Sequence, residues 1–268
     1  MKLGGQLTIL SRWRAAAPRT SRIGHYLDCS RSTFYAVLTS IPLLALYELL
    51  VWLGGNSQAQ VRNAGDVWLR HLLEALGLAS RYAFLAMLLT LVLAAPLLRQ
   101  SNLPLKKRYL LWLLVESFGY SLALGVVINL MLGVLHLWLP QAVSLAIPVL
   151  AAGGSGGFST GNLAQNMGQA LGAGLFEEFV FRVLLVGGLL ALGGMLLRPW
   201  LAAAVAILGS AVLFALAHHM GSLGEPFAWD AFLFRFTAGL LFSLLYHLRG
   251  FSVVSLTHAL YDLRVMLL

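Results

Sequence analysis

About seven stretches of this chain stay apolar for as long as a helix needs to cross a bilayer, and no other feature restricts the fold so strongly. Roughly 20 residues rising about 1.5 Å each cover the ~30 Å of hydrocarbon in a membrane. Runs of this kind lie at 33–53, 80–98, 109–139, 163–197, 199–219, 231–248 and 251–268. The third and fourth are longer than one crossing, so they are expected to tilt, break or extend past the lipid. Alternation at the strand period is missing, which argues against a membrane barrel. The expected architecture is all-α: a polytopic transmembrane bundle of about seven spans around an intramembrane polar cavity.

Composition agrees with this class. The chain is 59% hydrophobic and 10% charged, against roughly 45–50% and about 25% in soluble domains. A soluble enzyme, a disordered chain and a disulfide-stapled secreted domain are excluded. The single cysteine, Cys29, leaves no internal disulfide and no thiolate-rich metal site.

The net charge of +8 would suggest nucleic acid in a soluble protein. Here the basic residues flank apolar runs, as the positive-inside rule requires, and no nucleic-acid partner is expected. Lys2, Arg12, Arg14, Arg19, Arg22 and Arg31 precede the first span, and Arg99, Lys106, Lys107 and Arg108 follow the second. Arg198 and Arg249 fall at later turns on the same side, whereas the turn bearing Glu225 and Asp230 has neither Lys nor Arg. The expected setting is a multi-pass protein of a prokaryotic cytoplasmic membrane, amino terminus in the cytoplasm and carboxyl terminus outside. The Gly-rich stretch 151–161 reads as an outer linker, because no Gly-Lys-Ser/Thr follows to make a phosphate loop.

Ionisable residues inside the spans carry the functional signal, since charge in hydrocarbon is costly and marks function by default. Counted from the basic boundaries, most of Glu177, Glu178, Arg182, His218, Arg235, His258 and Asp262 fall in the half of the bilayer away from the basic loops. Glu178 and Arg182, four apart, share a helix face and can form a salt bridge, while Glu177 points about 100° away and is free to face a cavity. Phe214 and His218 repeat the spacing, as do His258 and Asp262; a carboxylate at that distance can orient an imidazole or share an ion with it. One carboxylate and two imidazoles from three helices suit the activation of a water for attack on a carbonyl. Glu48, Glu116 and Arg235 are further candidates for supporting pairs or substrate contact. Gly187, Gly188, Gly193 and Gly194 are expected to permit close helix packing.

The motifs Glu177-Glu-Phe-Val-Phe-Arg182, Phe214-Ala-Leu-Ala-His218 and His258-Ala-Leu-Tyr-Asp262 follow the order Glu-Glu-x-x-x-Arg, Phe-x-x-x-His and His-x-x-x-Asn/Asp. In that order and on separate helices they resemble the CPBP intramembrane proteases, which include the type II CAAX prenyl endopeptidases. The resemblance covers roughly 163–268. It implies a catalytic core at 163–268; the charge pattern and apolar runs make 1–32 a basic cytoplasmic segment and 33–162 accessory helices with a Gly-rich loop. It implies an endopeptidase acting on a membrane-anchored peptide or protein in the lipid bilayer, as a monomer. Glu177 and His218 would activate the water, His258 and Asp262 would steady the oxyanion, and Glu178 with Arg182 would be a structural pair. Asp262 departs from relatives with an amide there, because a carboxyl donates a hydrogen bond only when protonated.

Two mechanisms fit. A metal-free, glutamate-type one is favoured; a metalloprotease is the alternative, with zinc held by Glu177, His218, His258 and Asp262. The residues also fit other classes: a transporter or proton relay, a haem protein using His218 and His258, or an inactive relative that binds a membrane partner.

Overall fold

The computed structural model describes residues 21–55, 62–99, 105–138, 163–221 and 224–267. The basic residues up to Arg19 and the Gly-rich stretch 151–161 lie outside the described residues.

The chain enters through a short helix, α1 (Arg22–Arg31), and the span α2 (Thr33–Gly54). Serines cap both: Ser21 Oγ accepts from the Gly24 amide at 2.9 Å and Ser32 Oγ from the Tyr35 amide at 3.2 Å, satisfying amides that a helix start leaves open. A shorter helix, α3 (Ala64–Ala75), begins at the cap residue Asn63. After it come α4 (Ala83–Leu98) and the long α5 (Lys107–Trp138). On α4 only Ala83 is buried, and Leu85, Leu89, Leu93 and Leu97 are all exposed, the surface expected of a helix facing lipid tails.

The fourth apolar run is continuous but not uniformly α-helical. It starts as α6 (Leu163–Gly172), winds more widely through two π-helical segments, Ala173–Glu177 and Phe179–Val186, and returns to α-helix as α7 (Gly187–Leu196). The chain finishes with α8 (Pro199–Ala217), α9 (Trp229–Arg249) and α10 (Phe251–Leu267).

Six described helices are long and apolar enough to cross a membrane, against about seven expected. The seventh, α10, has 17 residues, the short end of the range for a span. It packs on α5, α6, α9 and the first π segment, and Ser252, Ser255, Thr257 and His258 on it are buried. A helix enclosed by other helices meets little lipid, so it tolerates polar residues that a lipid-facing helix cannot.

The expected packing role of the later glycines is only partly met. A Cβ at Gly193 would touch Ala202, but at Gly187, Gly188 and Gly194 it would meet nothing. Close approach occurs earlier, at Gly172 and Gly174. A Cβ at Gly172 would come within 2.7 Å of Asn63 Cβ and 2.8 Å of the Tyr47 ring, and one at Gly174 would overlap the Ser255 carbonyl and Ala259. These two positions bring the π-wound helix against α2, the α3 cap and α10.

Candidate active site

Glu177 and Glu178 sit where the two π segments meet. Wide winding of this kind is uncommon and frequently marks a functional position. The adjacent carboxylates diverge into different surroundings.

Glu178 is fully enclosed. Its Oε2 lies 3.1 Å from Arg182 Nε, both side chains being buried, and its Oε1 accepts from His258 Nδ1 at 2.7 Å. The Arg182 guanidinium lies over the Phe214 ring, 4.6 Å from its centre, and 5.4 Å from the centre of Phe242. Nη2 donates to the Gly239 carbonyl at 3.4 Å. The buried carboxylate is thus paired with a guanidinium and a ring N–H, with aromatic faces around the cation.

Glu177 faces the other way and stays partly reachable, its side chain 13% exposed. Oε1 accepts from Asn63 Nδ2 at 2.7 Å. Oε2 has no hydrogen-bond partner and lies 3.9 Å from Nε2 of His218. His218 ends α8, where its Nδ1 lies 2.8 Å from the Phe214 carbonyl. A carbonyl can only accept, so Nδ1 carries the proton, and Nε2 of the neutral ring is a lone-pair acceptor turned towards Glu177.

His258 completes the group. Its ring stacks on Phe242 at 4.3 Å and 26° and meets Phe214 at 6.1 Å. With Nδ1 on Glu178, Nε2 points to Asp262 Oδ2, 3.6 Å away. Phe214, central to these contacts, also meets His218 at 4.9 Å and Phe181 at 5.2 Å.

Glu177, Glu178, Arg182, Phe214, His218, His258 and Asp262 therefore form one connected set drawn from three stretches of chain. The supporting candidates divide. Arg235, on α9, donates to Glu225 at 2.6 Å and acts electrostatically on His218 and Asp262. Glu48 pairs with Arg62 at 2.9 Å and also with Arg70. Glu116 is placed elsewhere: it pairs with Arg249 at 2.6 Å and accepts from the Tyr26 hydroxyl. Arg249 lies 14 residues after Arg235 on α9, about 21 Å along the axis, so Glu116 clamps α1, α5 and α9 at the opposite end of the bundle. Burial and the neighbouring Glu116 push the Tyr26 phenol above its ordinary pKa.

Among the described residues no three His, Cys, Asp or Glu groups are arranged to hold a metal ion. His218 and His258 turn their Nε2 atoms to different carboxylates, Glu177 and Asp262.

Asn63 is the contact that sequence reasoning did not reach. Asn63-Ala-Gly-Asp66 carries the marks of a helix start, a capping Asn with an acid in the first turn, which would have located α3. Nothing in the sequence links it to a carboxylate 114 residues later.

Residues 159–264 match the family model described as type II CAAX prenyl endopeptidase Rce1-like. The matched segment holds Glu177, Glu178, Arg182, Phe214, His218, His258 and Asp262, and it agrees with the family resemblance drawn from their motifs. Comparisons with curated proteins and with solved structures gave no match.

Proposed function

From the match of residues 159–264 to the type II CAAX prenyl endopeptidase Rce1-like family model, we propose that the protein is an intramembrane endopeptidase. It hydrolyses a peptide bond of a membrane-anchored protein or peptide with water activated by Glu177. The observation that carries the reading is the pair of facing acceptors, Glu177 Oε2 and His218 Nε2, 3.9 Å apart. That gap is too long for a direct hydrogen bond and suits one water held by both.

In the proposed reaction Glu177 takes a proton from this water as its oxygen attacks the substrate carbonyl carbon. His218 holds the water through Nε2 and fixes the line of attack. The carbonyl electrons move onto its oxygen, and the tetrahedral oxyanion is met by His258 and Asp262. For Nε2 of His258 to donate while Nδ1 donates to Glu178, the ring has to carry both protons, and the Glu178 carboxylate supplies the compensating charge. Asp262 donates as the neutral acid. When the oxyanion collapses the C–N bond breaks, and Glu177 returns its proton to the leaving amine. Arg182 and Phe214 act through Glu178, His218 and His258, which they hold in place.

This is the metal-free version; the zinc version would need the same side chains to regroup. The amino terminus is proposed to be cytoplasmic, the site to open towards the outer face, and the chain to work as a monomer. The test compares cells carrying the wild-type protein with cells carrying Glu177→Ala and identifies carboxyl-terminal peptide fragments by mass spectrometry. Loss of a defined set of fragments in the variant is expected, with activity on any purified substrate lower by about a thousandfold. Identical fragment patterns would overturn the assignment.

A further inference from the structure

We propose that Asn63, from the part of the chain outside the family match, is a positioning residue that aims Glu177 at its water; the inference rests on the hydrolytic reading above. Asn63 is 5% exposed, and both ends of its amide are engaged. Oδ1 accepts from the Gly65 amide at 2.9 Å, capping α3. That bond settles which end of the amide is oxygen, so Nδ2 is the end 2.7 Å from Glu177 Oε1. With Oε1 held, the free oxygen Oε2 is the one left facing His218 Nε2. A carboxylate with one oxygen pinned by a donor keeps one orientation, and alignment of the attacking group is what near-attack geometry needs.

Asn63 is itself held from the far side. Its backbone amide donates to the Tyr47 hydroxyl at 3.2 Å, and that hydroxyl donates to Asp66 Oδ2 at 2.9 Å. Asp66 is fixed by Arg62 at 2.9 Å and Arg70 at 2.8 Å, and Glu48 joins both arginines. A chain of buried polar bonds thus runs from Glu48 to the proposed base. The span 33–54 and helix α3 would then be part of the working site and not an accessory to it.

Asn63→Asp separates positioning from capping. Aspartate caps a helix as well as asparagine does, yet it cannot donate to Glu177 once ionised. The full chain in detergent is assayed on an internally quenched farnesylated CAAX-type peptide. Asn63→Asp is expected to lower kcat by about tenfold to a hundredfold, the worth of a hydrogen bond to a charged group. KM should stay within about threefold, and the variant should remain folded although the second carboxyl beside Glu177 lowers its thermal stability. A variant with kcat within about twofold of wild type would overturn the proposal, as would a loss that merely follows the amount of folded protein.

A second arm does not need turnover. Dicyclohexylcarbodiimide, an apolar reagent for carboxyl groups, is used to label wild type and Asn63→Ala, and mass spectrometry reads each glutamate. Removing the amide uncovers Oε1, so labelling of Glu177 should rise by about threefold or more while Glu178, still held by Arg182 and His258, stays unchanged. Equal labelling of Glu177 in both proteins would refute the contact. If Glu177→Ala leaves the cellular fragment pattern unchanged while the labelling still changes, the hydrolytic reading fails and the Asn63–Glu177 contact stands.

Discussion

Two groups of buried charge meet at Asn63, and they are built on opposite plans. Around α3, the carboxylates of Glu48 and Asp66 are matched by the guanidinium groups of Arg62 and Arg70, and each acid touches both bases. Burial works against the charge on Arg62, yet its bonds to Glu48 and Asp66 hold its pKa above the ordinary arginine value. Around the π-wound helix, Glu178 pairs directly with the Arg182 guanidinium, while Glu177 and Asp262 face imidazoles and Arg235 is itself paired with Glu225. The first group is closed, every charge answered by its opposite. The second pairs Glu178 with Arg182 and His258 and leaves Glu177 Oε2, beside His218, without a hydrogen-bond partner. Buried charge alone does not mark a reactive site; an excess of one sign with an unpartnered carboxylate oxygen facing an imidazole does.

The Glu178–Arg182 corner of the site should show the largest loss of stability. Arg182→Met puts an apolar chain between Phe214 and Phe242 and leaves Glu178 buried without its guanidinium. Breaking a buried pair from one side costs about 3–5 kcal/mol, read as a shift in the unfolding of the purified protein in detergent. The double variant Glu178→Gln/Arg182→Met removes the stranded charge and keeps an acceptor for His258 Nδ1, so it should recover more than half of the loss. A single variant that costs under about 1 kcal/mol would show that this pair does not hold the corner, and the contrast between the two groups would fall.

A smaller effect of the same kind is expected from the balanced group. Glu48→Gln keeps the volume and one acceptor but removes a charge shared by two arginines. The expected cost is about 2 kcal/mol, with kcat inside about threefold of wild type, since Asp66 still binds Arg62, Arg70 and the Tyr47 hydroxyl. A loss of activity much greater than the loss of stability would mean that Glu48 reaches the chemistry more directly than through Asn63.

The same contrast explains what could be read from the sequence. The apolar runs gave the helices, since lipid-facing surfaces must be apolar whatever their neighbours. Glu178 with Arg182, Phe214 with His218 and His258 with Asp262 were legible because each pair lies four residues apart within one helical stretch. Three things were not. The π-winding at Ala173–Val186 leaves no mark in the order of residues along the chain. Glu116 looked like a site residue because an acid inside a span is costly wherever it sits, and its partners Arg249 and Tyr26 come from other helices. Asn63 reaches Glu177 only because Gly172 leaves room for it, a pairing across segments that one sequence does not display.

The smallest effect is also the one that tells the two mechanisms apart. Asp262 lies beside His258 Nε2, with Oδ2 at 3.6 Å, where the proposed reaction needs a hydrogen-bond donor for the oxyanion. An amide donates without first taking up a proton, so Asp262→Asn should keep kcat within about fivefold of wild type and leave the fold undisturbed. A metal site would respond differently, because an amide is a far poorer ligand for zinc than a carboxylate. Metal content is therefore measured beside activity in wild type and variant. Activity retained at unchanged metal content supports donation to the oxyanion, whereas joint loss of activity and bound zinc would reassign Asp262, His218 and His258 as ligands. In that case the openness of Glu177 Oε2 would belong to a coordination sphere, and the difference between the closed and open groups would be one of metal binding instead of water activation.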